Sequence, residues 1–263
     1  MRKTISLLLI FICLVTSLCS CEKIREMVEE KLDENIAYTE GLDTYVIEDN
    51  ECMVSVGSAS ELKEIFIPKK IDGNKVVAID ERGFFNLENL KSVSVPNGVY
   101  YIGDEAFMFC SFIERIDLPD SVTHIGRGAF YGCRSLREIK LSEGLTRIES
   151  KTFYVCEGLT EINLPSSLTF IGKNAFTSCS FTEVRIPDGV TFIDEYAFSG
   201  CKSLKTVYIP EGAKVCRYVF NACDSLETVV YGGTREQWET MMRDNQYGYE
   251  DKSYDGVEII FEK

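Results

Sequence analysis

The chain has 263 residues, with 28 Lys or Arg against 42 Asp or Glu, a formal net charge of −14 at pH 7 and a single histidine. That balance gives no basic footprint, so nucleic acid is not an expected partner. An acidic surface is also repelled by anionic membranes.

Met1 to Ser20 reads as a targeting segment. Arg2 and Lys3 form a positive start, and the apolar run Ile5–Val15 is too short to span a bilayer comfortably. The sequence Leu18-Cys19-Ser20-Cys21 then resembles a lipobox, in which a small residue precedes a cysteine that is lipidated and becomes the new N-terminus. That resemblance implies Cys21 as the lipidation site; Cys19 follows the bulky Leu18 and fits less well. The alternative is an ordinary cleaved signal peptide with an incidental cysteine. A lipid anchor would be the chain's only membrane contact. Loss of Arg2 and Lys3 takes the formal charge from −14 to −16. Residues 21–37 are expected to be a tether. Ile24, Met27, Val28 and Leu32 have helical spacing, but so charged a stretch is read first as a solvated spacer.

Residues 38–61 are assigned to an N-terminal cap, with one or two strands over Tyr45–Val56, because the end of a repeat array must hide its apolar face. Residues 62–233 carry a repeat. Phe84, Phe107, Phe130, Phe153, Phe176, Phe198 and Phe220 follow at steps of 23, 23, 23, 23, 22 and 22 residues. A second column is Ile79, Ile102, Ile125, Ile148, Ile171 and Ile193, then Cys216. A third holds pairs two apart, from Val93/Val95 through Ile116/Leu118, Ile139/Leu141, Ile162/Leu164, Val184/Ile186 and Val207/Ile209 to Val229/Tyr231. Spacing of two is the strand period, and Pro96, Pro119, Pro165, Pro187 and Pro210 suit strand ends. The segment around each phenylalanine lacks alternation and is predicted to be a short helical turn. A fixed period of this length predicts a solenoid in which each phenylalanine lies over the next. Lys69–Val76 is an insertion whose Ile-Asp-Gly-Asn-Lys reads as a turn.

The repeat I-G-x-x-A-F-x-x-C-x-S-L-x-x-I-x-L-P, as in Ile125–Leu141, is similar to the BspA-type leucine-rich repeat of bacterial surface proteins. The resemblance covers roughly Leu62 to Tyr231 in about seven units. It implies a right-handed, leucine-rich-repeat-like solenoid of short strands on two faces, capped at both ends. It also implies a bacterial envelope location and adhesion or interaction, without naming a ligand.

Residues 234–263 are predicted to be a C-terminal cap. Thr234 is the helix N-cap, Arg235–Arg243 the helix with Trp238, Met241 and Met242 facing the last repeat, Asn245–Gly256 a polar loop and Val257–Phe261 a final strand. Of the 11 cysteines, Cys110, Cys133, Cys156, Cys179, Cys201 and Cys223 each sit three residues after their column phenylalanine. They are read as buried structural thiols. Disulfides and a metal site fit a one-dimensional column less well, because parallel Cβ vectors resist the disulfide torsion and ligands do not converge.

No cofactor is expected, and no phosphate loop, G-x-S-x-G or H-E-x-x-H motif is present. His124 falls in a variable column and is expected to be exposed. Two surfaces are candidates for binding. One is the column before each isoleucine, Tyr101, His124, Arg147, Phe170 and Phe192, with Tyr100 beside it; aligned exposed aromatics usually mean contact. The other is the outward side of the I-x-L strands, with Arg115, Glu138, Glu161 and Glu183. The expected function is binding of an extracellular protein or glycan by a lipid-anchored surface protein. A structural spacer without a ligand is the alternative, and a polysaccharide-acting enzyme a remote one.

Overall fold

The computed structural model describes residues 39–48, 50–244 and 252–263. The targeting segment, Cys21, the tether and residues 245–251 of the expected loop lie outside the described residues. At the start, Asp43–Glu48 (β1) and Glu51–Ser55 (β2) form an antiparallel hairpin. Glu64–Phe66 (β3) opens the first repeat strand position. Lys70–Ile71 (β4) and Asn74–Ile79 (β5) pair antiparallel, so the insertion is more than a turn. Asp72 and Gly73 both have positive φ, 50° and 85°, as a two-residue hairpin loop requires.

From there each turn adds a three- or four-residue strand and a two-residue strand. These are Ser92–Ser94 (β6) and Tyr101–Ile102 (β7), Arg115–Asp117 (β8) and His124–Ile125 (β9), and Glu138–Lys140 (β10) and Arg147–Ile148 (β11). Phe170–Ile171 (β12) stands alone. Glu183–Arg185 (β13) and Phe192–Ile193 (β14), then Thr206–Ile209 (β15) and Lys214–Val215 (β16), resume the alternation, and Thr228–Tyr231 (β17) ends it. The helix Arg235–Asp244 (α1) and Glu258–Phe261 (β18) close the fold. The longer strands stack in parallel as β3-β6-β8-β10 and β13-β15-β17-β18; the shorter ones continue from β1-β2-β5 through β7-β9, then run as β11-β12-β14-β16.

The strand predicted over Ile162–Leu164 is absent: residues 161–165 are in no strand, and the longer-strand sheet breaks there. The next turn is the one that has lost a residue between Cys179 and Phe181. Upstream, the arcs are joined by Ser135 N–H to Ser111 O and Gly158 N–H to Arg134 O; at the deletion Ser180 N–H reaches Leu159 O instead. The pairing slides, and Ile162 and Leu164 pack half-buried against the core without joining a ladder.

The phenylalanine column is one continuous stack. Successive rings from Phe84 to Phe220 lie 5.1–5.7 Å apart between centroids, with planes within 18°. All seven are buried. In the isoleucine column the last place is filled by Val215, which pairs with Ile193, and not by Cys216, which is half-buried one residue on. The one-residue loss in the preceding loop had obscured that register.

The segment around each phenylalanine is not helical. It is a chain of tight turns in which alternate N–H groups bond the next unit: Glu105, Phe107 and Phe109 donate to Arg127, Ala129 and Tyr131. Such a chain needs left-handed residues two before and two after the phenylalanine. Gly128 and Gly132 meet the need without strain, whereas Val155 (φ 58°) and Phe109 (φ 64°) do not. A helix would have turned those N–H groups onto its own axis and left the units unjoined here.

The six column cysteines are free thiols. Each donates to the carbonyl of the phenylalanine one unit back, as Cys133 Sγ to Phe107 O at 3.2 Å and Cys156 Sγ to Phe130 O at 3.1 Å. Burial pushes the Cys110 thiol up to about 12, and raises those of Cys133, Cys156 and Cys179 in the same direction.

At the far end Thr234 Oγ1 accepts from Gln237 N–H while Gln237 Oε1 accepts from Thr234 N–H, a reciprocal cap that starts α1. Trp238 is buried against Tyr231 and Tyr254, and β18 pairs in parallel with β17.

Candidate interaction surface

The column before each isoleucine lies on the outer side of the two-residue strands, because its neighbour one residue on faces the core. Parallel pairing sets Tyr101 beside His124, Arg147 beside Phe170, Phe170 beside Phe192 and Phe192 beside Lys214. Tyr101 and His124 stack at 4.7 Å with planes 1° apart. Phe170 and Phe192 stack at 5.7 Å and 6°. The Arg147 guanidinium sits 3.8 Å above the other face of Phe170, and Lys214 Nζ lies 5.9 Å from the Phe192 centroid. The column therefore divides into a Tyr–His pair and an Arg–Phe–Phe–Lys run. The ring faces point along the stacking direction, and those of Phe170 and Phe192 are covered on both sides, so their edges look outward.

Tyr100 is 44% exposed beside this column. Below it in register comes a threonine ladder: Thr123, Thr169 and Thr191 donate their hydroxyls to the carbonyls of Tyr100, Thr146 and Thr169. Arg147 is also held by Glu149 at 2.8 Å. Burial, followed by Asp104, Glu81 and Asp80, raises the Tyr101 hydroxyl above its ordinary value.

The second set lies on the other sheets. Arg115 and Glu138 are partners in the β8–β10 ladder, Glu183 starts β13 after the break, and Glu161 is exposed outside any strand. Arg115 bonds Asp117 at 3.0 Å and Glu183 bonds Arg185 at 2.9 Å. The structure thus places the two candidate sets on different sheets and leaves the acidic set interrupted at Glu161.

The family model described as BspA type Leucine rich repeat region matches residues 58–180 and 125–246, in 6 copies. The chain belongs to this BspA-type repeat family. Its fold is similar to that of the T. pallidum leucine-rich repeat protein TpLRR, with a TM-score of 0.70, 27% identity, and coverage of 84% of this chain and 100% of that one. A leucine-rich repeat protein from Bacteroides ovatus ATCC 8483 is also similar, with a TM-score of 0.54 and 28% identity over 74% of this chain and 46% of that one. No curated protein matches the sequence.

Within this BspA-type solenoid, the turn arcs carry a further aromatic row that sequence reasoning passed over. Phe85, Phe109, Tyr131 and Tyr154 meet in succession at 5.9, 5.2 and 4.7 Å, and Arg82 caps Phe85 at 4.2 Å. Phe112 is 54% exposed in the same arc as Phe109. The signal was present as an aromatic one residue after three of the column phenylalanines, but Phe109 is displaced by one and breaks the count. The repeat array also leaves a cleft of about 990 Å³ between its last rung and α1, lined by Glu195, Lys214, Cys216, Arg217, Glu236 and Met241 among others. There Lys173 and Arg217 both donate to Glu195, at 2.9 and 3.0 Å, and hold its carboxyl below the ordinary range. Among the described residues no group of three His, Cys, Asp or Glu side chains is arranged to hold a metal ion.

Proposed function

We propose that this BspA-type protein is a lipid-anchored bacterial surface module that binds an extracellular protein through the column from Tyr101 to Lys214. The observation that carries the reading is the Arg147–Phe170–Phe192–Lys214 run on the outer side of the two-residue strands, with both phenylalanines half-buried between exposed cations. Aromatic and arginine side chains gathered on a flat surface are the usual anchors of protein interfaces. The ring orientation favours protein over glycan. Sugar rings are gripped by aromatic faces, and both faces of Phe170 and of Phe192 are already met by neighbouring side chains. Ring edges suit the backbone carbonyls of a folded partner, and the threonine oxygens, whose hydrogens are already donated within the ladder, suit its N–H and O–H groups.

The test is a pull-down and array screen of extracellular proteins and glycans with the purified chain, repeated with Phe170→Ser and Phe192→Ser. Binding of a protein that both substitutions abolish, with the fold retained, supports the reading. Binding that survives them moves the site elsewhere, with charge reversal of Glu138 and Glu161 as the next variant. A structural spacer is the second reading. It is favoured by the way each aromatic in the column satisfies its neighbour, and a blank screen would support it.

A further inference from the structure

The first strand of the fold is unlike the rest. At six residues β1 is longer than most rungs, and among the described residues it pairs only with β2, which leaves its second edge without a strand partner there. Along that strand Tyr45, Val46 and Ile47 are 52, 65 and 44% exposed. A long apolar edge is a template for another strand, and proteins ordinarily blunt one with a cation, a proline, a β-bulge or a covering segment; the β1–β2 ladder has one irregularity, between Val46 and Glu48, which leaves Asp43–Val46 as its regular part. The opposite end of the solenoid is treated differently, with Trp238 of α1 buried against Tyr231 and Tyr254. Charge selects what can dock at β1. Asp43 and Glu48 sit at its two ends, neither has an ion pair among the described residues, and the chain carries a formal net charge of −14. A second copy fits poorly. Antiparallel pairing of β1 with itself would set Asp43 against Glu48 at both ends, and the other terminal strand, β18, which among the described residues pairs only with β17, begins with Glu258. Like charges directly opposite destabilise a ladder, while opposite charges support it.

We propose that the free edge of β1 receives an extended segment of a partner protein, added as a further strand, with alternating apolar residues and a basic residue at each end. Main-chain hydrogen bonds supply the attachment and the terminal charges supply selection. This surface is separate from the Tyr101–Lys214 column, so either reading can fail alone.

Two capped peptides of alternating valine and threonine, one ending in lysines and its twin in glutamates, are titrated into the full chain while the backbone amides of Asp43–Glu48 are followed by NMR. The lysine-ended peptide is expected to shift those amides saturably and to bind at least tenfold more tightly than its twin. Val46→Lys with Ile47→Lys, both at exposed positions, should abolish the shift without lowering the thermal midpoint. Equal binding of the two peptides, no effect on β1 amides, or a self-associated state by sedimentation that Val46→Lys disperses would each overturn the proposal.

Discussion

Phe153→Ala tests the spine most sharply. Phe153 is fully buried and stacks on Phe130 at 5.5 Å and Phe176 at 5.4 Å, with planes 2° and 5° apart. Truncation to alanine removes on the order of 120 Å² of apolar contact, about 3 kcal/mol at roughly 25 cal/mol per Å². Each lost ring pair adds about 0.5–1.5 kcal/mol beyond burial. The sum, about 4–6 kcal/mol, falls at or just above the top of the range of roughly 3–5 kcal/mol measured for such truncations. Phe84, at the head of the column, stacks on Phe107 alone among the column rings, so Phe84→Ala should cost less by about one pair, ~0.5–1.5 kcal/mol. Urea titrations of both variants, with exposed Phe112→Ala as control, give the comparison. A Phe153→Ala cost below about 1.5 kcal/mol, the range of ordinary single substitutions, would refute a load shared through stacked rings.

Native alkylation followed by peptide mapping should modify half-buried Cys216 before the buried Cys110, Cys133 and Cys156, which should stay untouched until unfolding; burial raises the Cys216 thiol too, to about 11, so access decides the order. Cys156→Val, which removes the donor to Phe130 O, should cost about 1–2 kcal/mol in the same titrations. Val155→Asn should stabilise by about 1 kcal/mol, since a β-branched residue at φ 58° is strained where asparagine is tolerated; a loss of stability would mean that the valine's packing outweighs the strain. Glu195 has a folded-state pKa below its unfolded value, so its bonds to Lys173 and Arg217 stabilise above about pH 4.3 and are lost as pH falls through the folded value. Glu195→Gln should therefore melt lower than the parent at pH 7, with the gap closing below about pH 4.

The period of the phenylalanines determined the architecture. A side chain that recurs every 22 or 23 residues must meet its own image in the next turn, and a large apolar ring there has nowhere to go but the core. The alternation of Ile116 with Leu118, the thiols three residues after each ring and the Thr234–Trp238 cap were legible for the same reason: each is local or strictly periodic. Tertiary structure decided what the period does not contain. The one-residue loss after Cys179 let the pairing slide and cost Ile162–Leu164 its strand, because register depends on the neighbouring turn. The need to bond the next unit turned the expected helices into strained turns at Val155 and Phe109. The column at Phe170 and Phe192 was visible as a list of residues, but only stacking showed their faces covered and their edges outward. The apolar exposure along β1 lies outside the repeat altogether, and it follows from where strand pairing ends among the described residues.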